Sequence, residues 1–370
     1  MNTMLEGIKV VEICAIGPGP FCAMHLADLG ADVIAVERET TKDAPQTIIN
    51  RGKRSVIADI KTPEGRELVM RLVAGADALI EGMRPGVMER LGLGPLDCAA
   101  VNPRLVYGRM TGWGQSGPLA QAAGHDNNYI ALSGALYYSG TEPEPPSAPI
   151  TVIGDVGGGA LYLAVGLLAG ILKARATGKG TVVDASVVDG SSHMLQLLLS
   201  SRNRGLVTGK RGQNMHDSSH FFATYRCADG EFITLGSLEP QFYALMLDKL
   251  GLKDDPRYAA QWDRQRWAAS HADFAALFET RTRAQWTDLL EGSDVCFGPV
   301  LSPQEAAQHP HNVARGTWFE RDGFLQSVPS PRFDGEASAP GPLPARGQHS
   351  NEIAAALAGG DVSAPWRKPG

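Results

Sequence analysis

Cysteine is scarce in this chain of 370 residues: Cys14, Cys22, Cys98, Cys227 and Cys296 are scattered, odd in number and contain no C-x-x-C pair. That pattern excludes a disulfide framework and a cysteine-rich zinc site, and it points to a reducing, cytoplasmic setting. A basic excess is missing too: 40 Asp and Glu outnumber 34 Lys and Arg, for a net charge of −6. Nucleic acid is therefore not the expected partner, since phosphate binding shows as clustered basic surplus. The opening residues, MNTMLEGIKVVEI, lack the basic, apolar and small-residue succession of a secretory leader. The longest apolar run, Ala160 to Leu172, spans 13 residues and is interrupted by Gly166 and Gly170. A bilayer needs roughly 20, so this run is expected to be a buried helix with no membrane span. No internal repeat is present.

What is present alternates between strand and helix patterns. Ile8–Ile13 is a β-branched run ending in Gly17-Pro18-Gly19-Pro20; an apolar helix pattern follows to Leu29, and Asp32–Glu37 is a second strand. A β-α-β unit with a glycine turn raises the question of a dinucleotide site. Its third glycine is absent, and two prolines remove amide donors where a pyrophosphate would need them. The unit reads better as a Rossmann-like scaffold. Further strands are expected at Ser55–Lys61, Ala78–Glu81, Leu105–Met110 and Thr181–Ser186, with a helix over Pro63–Ala74 capped at Thr62. Arg38, Lys61, Arg84 and Arg90 fall at or just after strand exits, where a doubly wound sheet binds ligands. Together they suit a polyphosphate.

The character changes at Arg202–Ser219, which is basic, glycine-spaced and without clear periodicity. Phe222–Cys227 and Glu231–Leu235 then form a hairpin around Ala228-Asp229-Gly230, followed by helical patterns to Glu291 and one more strand at Cys296–Val300. The expected organisation is a large Rossmann-like domain (1–201), a linker (202–221), a small α+β domain (222–328) and a proline- and glycine-rich segment (329–370) that returns to the large domain.

Two stretches carry chemistry. Gly124-His125-Asp126-Asn127-Asn128-Tyr129 puts a histidine, a carboxylate, two amides and a phenol into consecutive positions. Gly154-Asp155-Val156-Gly157-Gly158-Gly159 sets a carboxylate ahead of three glycines and an apolar helix. Removing a proton from carbon next to a carbonyl needs a placed base, donors facing the incipient enolate, and exclusion of water. His125 and Asp155 supply two bases. Asp155 is expected at a helix N-terminus, where the amides of Val156, Gly157 and Gly158 would serve as oxyanion donors and the glycines would admit a ligand closely. Two bases flanking one carbon invert it. Glu239, followed by Pro240, is a candidate to orient the histidine.

Beyond these stretches, several segments together resemble the family III CoA transferases. They are Gly17–Pro20, Asp28–Val33 with Arg38, Arg54–Val56, Glu81–Gly86, Met88–Gly94 and Thr111–Gly114. Gly124-His125-Asp126 and Glu239–Tyr243 are similar to the α-methylacyl-CoA racemases within that family. The resemblance implies an isomerase in which His125 acts on the (S) face and Asp155 on the (R) face of a 2-methylacyl-CoA thioester, with Glu239 orienting the His. No metal or cofactor is implied; CoA enters as part of the substrate. The alternative that the family holds open is CoA transfer between carboxylic acids, with the matching aspartate as nucleophile and the histidine absent. CoA contacts are implied at Arg38, Ala58, Asp59, Ile60, Lys61, Gly82, Met83, Arg84, Arg90, Gly124, Asp126, Asn127, Asn128 and Tyr129. An interlocked homodimer is implied, its site shared between the large domain of one chain and the small domain of the other. Two positions depart from the pattern: Thr151 stands where Asn is expected, and Gly212–Ser219 is more polar. The residues do not single out an acyl chain.

Overall fold

Six strands pair in parallel into one sheet of order β3-β2-β1-β4-β5-β6. They are β1 (Lys9–Ile13), β2 (Asp32–Glu37), β3 (Arg54–Ile57), β4 (Ala78–Glu81), β5 (Val106–Thr111) and β6 (Thr181–Ser186). The computed structural model describes residues 4–39, 47–202 and 205–366. The strand order reverses between β1 and β4, and the crevice at the carboxyl ends there is where open α/β sheets bind ligands.

Both faces of the sheet are covered, so its strands read as apolar runs rather than alternations. Val10 and Ile80 join Leu26, Leu163 and Leu167 on one face. Their neighbours Val11 and Leu79 join Val69, Leu72 and Ile353 on the other, as a period of two requires. The helices that matter here are α1 (Pro18–Asp28), α2 (Pro63–Ala74), α3 (Asp126–Ser133), α4 (Leu161–Thr177) and α5 (Val187–Met194). Thr62 caps α2 by accepting the Gly65 amide at 3.1 Å, and Gly178 ends α4 with a left-handed φ of 73°. The basic turn Arg51–Arg54 is spent internally: Arg51 pairs with Asp28, Lys53 with Glu12 and Arg54 with Asp32, at 2.7, 2.7 and 2.8 Å.

A π-helix (Val152–Ala160) runs directly into α4. The continuous helix Val152–Thr177 has 26 residues and is long and apolar enough to cross a membrane. The expectation that this segment is too short to do so therefore does not hold for the whole helix. Leu163, Leu167 and Ile171 are nevertheless buried in the sheet's core, which is the place expected for them.

By compactness the chain forms two units, one of Met1–Ala135, Pro149–Met194 and Val313–Gly370, the other of Leu136–Ala148 and Leu195–Asn312. The second holds an antiparallel sheet of β7 (Phe222–Arg226), β8 (Phe232–Gly236) and β9 (Phe297–Pro299). Helices Pro240–Lys249, Arg264–Phe278 and Arg283–Leu290 belong to this unit, and Tyr225, Trp267, Phe274, Phe278 and Trp286 fill its core.

Three features differ from the sequence expectation. The stretch 202–219 includes a short helix, Met215–Ser218. Buried Asn214 organises it by accepting the Thr208 amide at 2.6 Å and donating to Asp217 at 2.8 Å. Polar groups satisfying backbone leave no apolar period to read. Residues 136–148 group with the second unit, where Arg211 donates to the Glu144 carbonyl at 2.9 Å and pairs with Glu142 at 3.4 Å. The first unit resumes at Val313 rather than 329. Its hairpin at 318–327 is held by Arg51, which donates to Gln326 and the Ser327 carbonyl at 3.1 and 2.9 Å.

Candidate active site

The loops leaving β1, β4 and β5 converge at the switch point. Gly82 lies so close to Ala15 that a Cβ on it would sit 2.9 Å from the alanine methyl. A cleft of about 240 Å³ opens beside them. Its walls include Gly82, Arg84, Trp113, Gly124, His125 and Tyr129. Tyr129 donates its hydroxyl to the Gly124 carbonyl, and its ring meets Trp113 edge-on at 4.7 Å. The buried indole N–H of Trp113 has no hydrogen-bond partner among the described residues.

His125 is the N-cap residue of α3 and is exposed. Its amide donates to Asn128 Oδ1 at 2.9 Å, which fixes the entry of the chain into the helix. The next residue points the other way. Asp126 is buried, its Oδ1 accepting the Asp155 amide at 2.7 Å and its Oδ2 the Thr151 amide at 3.2 Å. The two stretches singled out in the sequence are thus tied together through one carboxylate. The Asp155 carboxyl is raised to about 6, chiefly by burial, with Asp126 adding to the rise and His125 opposing it. Burial likewise raises the Tyr129 phenol, with Asp155 adding to the shift and Arg84 opposing it.

Two expectations about the Asp155 segment are overturned. Asp155 does stand in the first turn of the helix that starts at Val152, but that turn is π, and the Val156 amide donates to the Thr151 carbonyl at 2.9 Å instead of standing free as an oxyanion donor. That five-residue bond belongs to a π-turn, a form found often at functional sites. Nor do the glycines open the backbone to a ligand. A Cβ on Gly158 would meet Ser191 Oγ at 2.3 Å, and one on Gly159 would meet Met110 and Pro18 at 3.1 and 3.2 Å. They admit protein neighbours instead. The first amides of α3 are the helix-terminal donors next to His125.

The remaining sequence candidates are distributed along the sheet's carboxyl edge. Exposed Arg38 follows β2; Ala58, Asp59, Ile60 and Lys61 follow β3; Gly82, Met83 and Arg84 follow β4. Ile60 is buried and offers backbone only, and Asp59 accepts the Lys61 amide at 3.0 Å. Arg90 is exposed at the end of the short helix Val87–Arg90. Asn127 and Asn128 are exposed on α3, whereas the Asp126 side chain is turned inward. Glu239 is the exposed N-cap residue of the helix Pro240–Lys249 in the second unit. Sequence reasoning missed Glu81, whose buried carboxylate accepts the Met83 amide at 2.7 Å and lies 3.5 Å from Arg109 Nε. Burial raises Glu81 to about 7, against the pull of Met83 and Arg109. Glu81 opens the Glu81–Gly86 segment that carries part of the family resemblance, but nothing in the sequence shows that its carboxylate is buried.

This switch-point site on a doubly wound sheet belongs to an α/β protein, and the chain belongs to CoA-transferase family III, whose model matches residues 5–350. It is similar to human α-methylacyl-CoA racemase, with 41% identity covering 94% of this chain and 92% of the relative. Human succinyl-CoA:glutarate CoA-transferase is 30% identical, covering 94% and 85%. Among solved structures, a CAIB/BAIF family protein from Brucella suis superposes with a TM-score of 0.81 at 29% identity, covering 96% of this chain and all of that one (100%).

Proposed function

We propose that this protein is a 2-methylacyl-CoA racemase that interconverts (2R) and (2S) thioesters by 1,1-proton transfer. The observation that carries the reading is the link between the two bases: His125 caps α3 while the next residue holds the Asp155 amide at 2.7 Å. The higher identity to a racemase than to a transferase, 41% against 30%, supports it, as does a histidine at position 125.

One base takes the α-proton, and the electron pair moves onto the thioester oxygen as an enolate. The other base, already protonated, returns a proton to the opposite face. The amides opening α3 are placed beside His125 to meet the enolate oxygen. CoA would lie along the carboxyl edge of the sheet, its phosphates met by Arg38, Lys61, Arg84 and Arg90. Backbone from Ala58–Ile60, Gly82–Met83 and Gly124–Tyr129 would line its path. In the homodimer we infer, Glu239 of the partner subunit orients His125. The five free cysteines support a reducing, cytoplasmic compartment.

The test is to incubate (R)- and (S)-2-methylacyl-CoA separately in D₂O, following α-deuterium by NMR and configuration by chiral analysis. Deuterium uptake with both isomers converging on one mixture is expected. No uptake, with CoA appearing on an added carboxylate and an acyl adduct at Asp155 trapped by hydroxylamine, would replace this reading with a transferase.

A further inference from the structure

We propose that Asp126 is a positioning residue: its buried carboxylate fixes the spacing of the two bases and holds negative charge against Asp155. The proposal rests on the racemase reading and assigns a role to a side chain that the sequence offered only as a CoA contact. Asp126 is 5% exposed, and both its oxygens are engaged by backbone amides of the Asp155 segment. Its carboxylate is turned away from solvent. Its neighbour in sequence is His125, so a displacement of Asp126 moves one base relative to the other. The surroundings are built to this carboxylate: a Cβ on Gly154 would lie 2.1 Å from Asp126 Oδ1. Thr151, whose amide is the second donor, takes a left-handed φ of 63° to present it.

Charge follows from the same geometry. Two carboxylates tied through one amide resist ionising together. Burial is the larger cause of the raised Asp155 carboxyl, and Asp126 adds to it. Other charges on elements packed against the π-helix are engaged elsewhere or distant. From α3, His125 and Tyr129 face Asp155. On β5, Arg109 pairs with Glu81 and Glu89. Asp184 on β6 accepts the Gln115 amide at 3.2 Å and interacts with Asp189 of α5, while His193 of α5 meets Tyr162 of α4 at 2.6 Å. The first turn of α1 brings no acid, its only basic residue being His25 in the last turn. The other charges of α4, Lys173 and Arg175, lie towards its far end.

Two substitutions separate charge from position. Asp126→Asn keeps the volume and removes the charge, while leaving one of the two amides without its acceptor; the acid limb of kcat/KM is expected to move to lower pH. Asp126→Glu keeps the charge but adds a methylene, so the limb stays in place while kcat falls roughly a hundredfold, the effect of about 1 Å of misplacement. An unmoved limb in Asp126→Asn overturns the electrostatic role, and an unchanged kcat in Asp126→Glu overturns the positioning role. Should Asp126→Asn not fold, carboxyl titration by infrared difference spectroscopy of Asp126→Glu against wild type reads the same charge: an Asp155 titration far from its wild-type pH counts against the proposal. Wild-type enzyme run alongside keeps the cases apart, because failure of the racemase reading shows as no exchange in the wild type.

Discussion

Gly17 faces the carboxylate of Asp155: a Cβ built on this glycine would lie 3.3 Å from Oδ2. Gly17 also has a φ of 79°, in the left-handed region that side chains avoid. The turn from β1 into α1 thus forms one wall around a carboxylate carried by a different element. Gly17→Ala should cost about 1 kcal/mol through its backbone alone and lower turnover by crowding Asp155. Urea unfolding and exchange rates measure the two effects separately, and normal turnover in a destabilised variant would mean that the methyl is tolerated.

The two bases should be separable by direction. His125→Ala should abolish deuterium uptake from the (S) isomer while the (R) isomer still exchanges, without inversion, at Asp155. Asp155→Ala should do the reverse. Each loss should be roughly 10²–10⁴-fold. Near wild-type racemisation in either variant would sink the two-base scheme.

Asp155 sets a pH dependence. With its carboxyl raised to about 6, it is protonated below that pH and accepts no proton from the (R) isomer. kcat/KM for that isomer should therefore rise as pH increases through about 6. An acid limb near 4 would show an Asp155 with an ordinary carboxylate environment.

How much of this was legible beforehand differs between the scaffold and the site. The parallel strands announced themselves because both faces of the sheet are covered, so β1, β2 and β4 read as apolar runs. His125 and Asp155 stood out by residue type and glycine context. The π-turn did not, because Val152–Ala160 carries the same apolar spacing as the helix that continues it. The hydrogen bonds of Asp126 were not legible either: the sequence offered it only as a CoA contact, and only the fold brings the Thr151 and Asp155 amides to its carboxylate. The glycines after Asp155 signalled close approach correctly, but not that protein rather than ligand makes the approach.

Thr151 carries a β-branched side chain at a left-handed φ of 63°, a region in which Asn is tolerated and Thr is strained. Thr151→Asn should stabilise the protein by about 1 kcal/mol, read as a higher urea midpoint with an unchanged slope. Its amide would still reach Asp126, so the pH profile should not move. A lower midpoint would show that the threonine side chain makes up for its backbone.

Glu239 tests whether the site is shared between subunits. As the exposed N-cap residue of the helix Pro240–Lys249, with no side-chain capping bond, it is free of a structural duty that its substitution would confuse with catalysis. Glu239→Gln should slow racemisation in both directions and leave CoA affinity, measured by calorimetry, as in the wild type. Mixing Glu239→Gln with His125→Ala subunits distinguishes the two arrangements. If Glu239 serves His125 of the other chain, a heterodimer has one site carrying both defects and one carrying neither, so activity returns to up to half of wild type. If Glu239 serves its own chain, each site keeps one defect and no activity is regained.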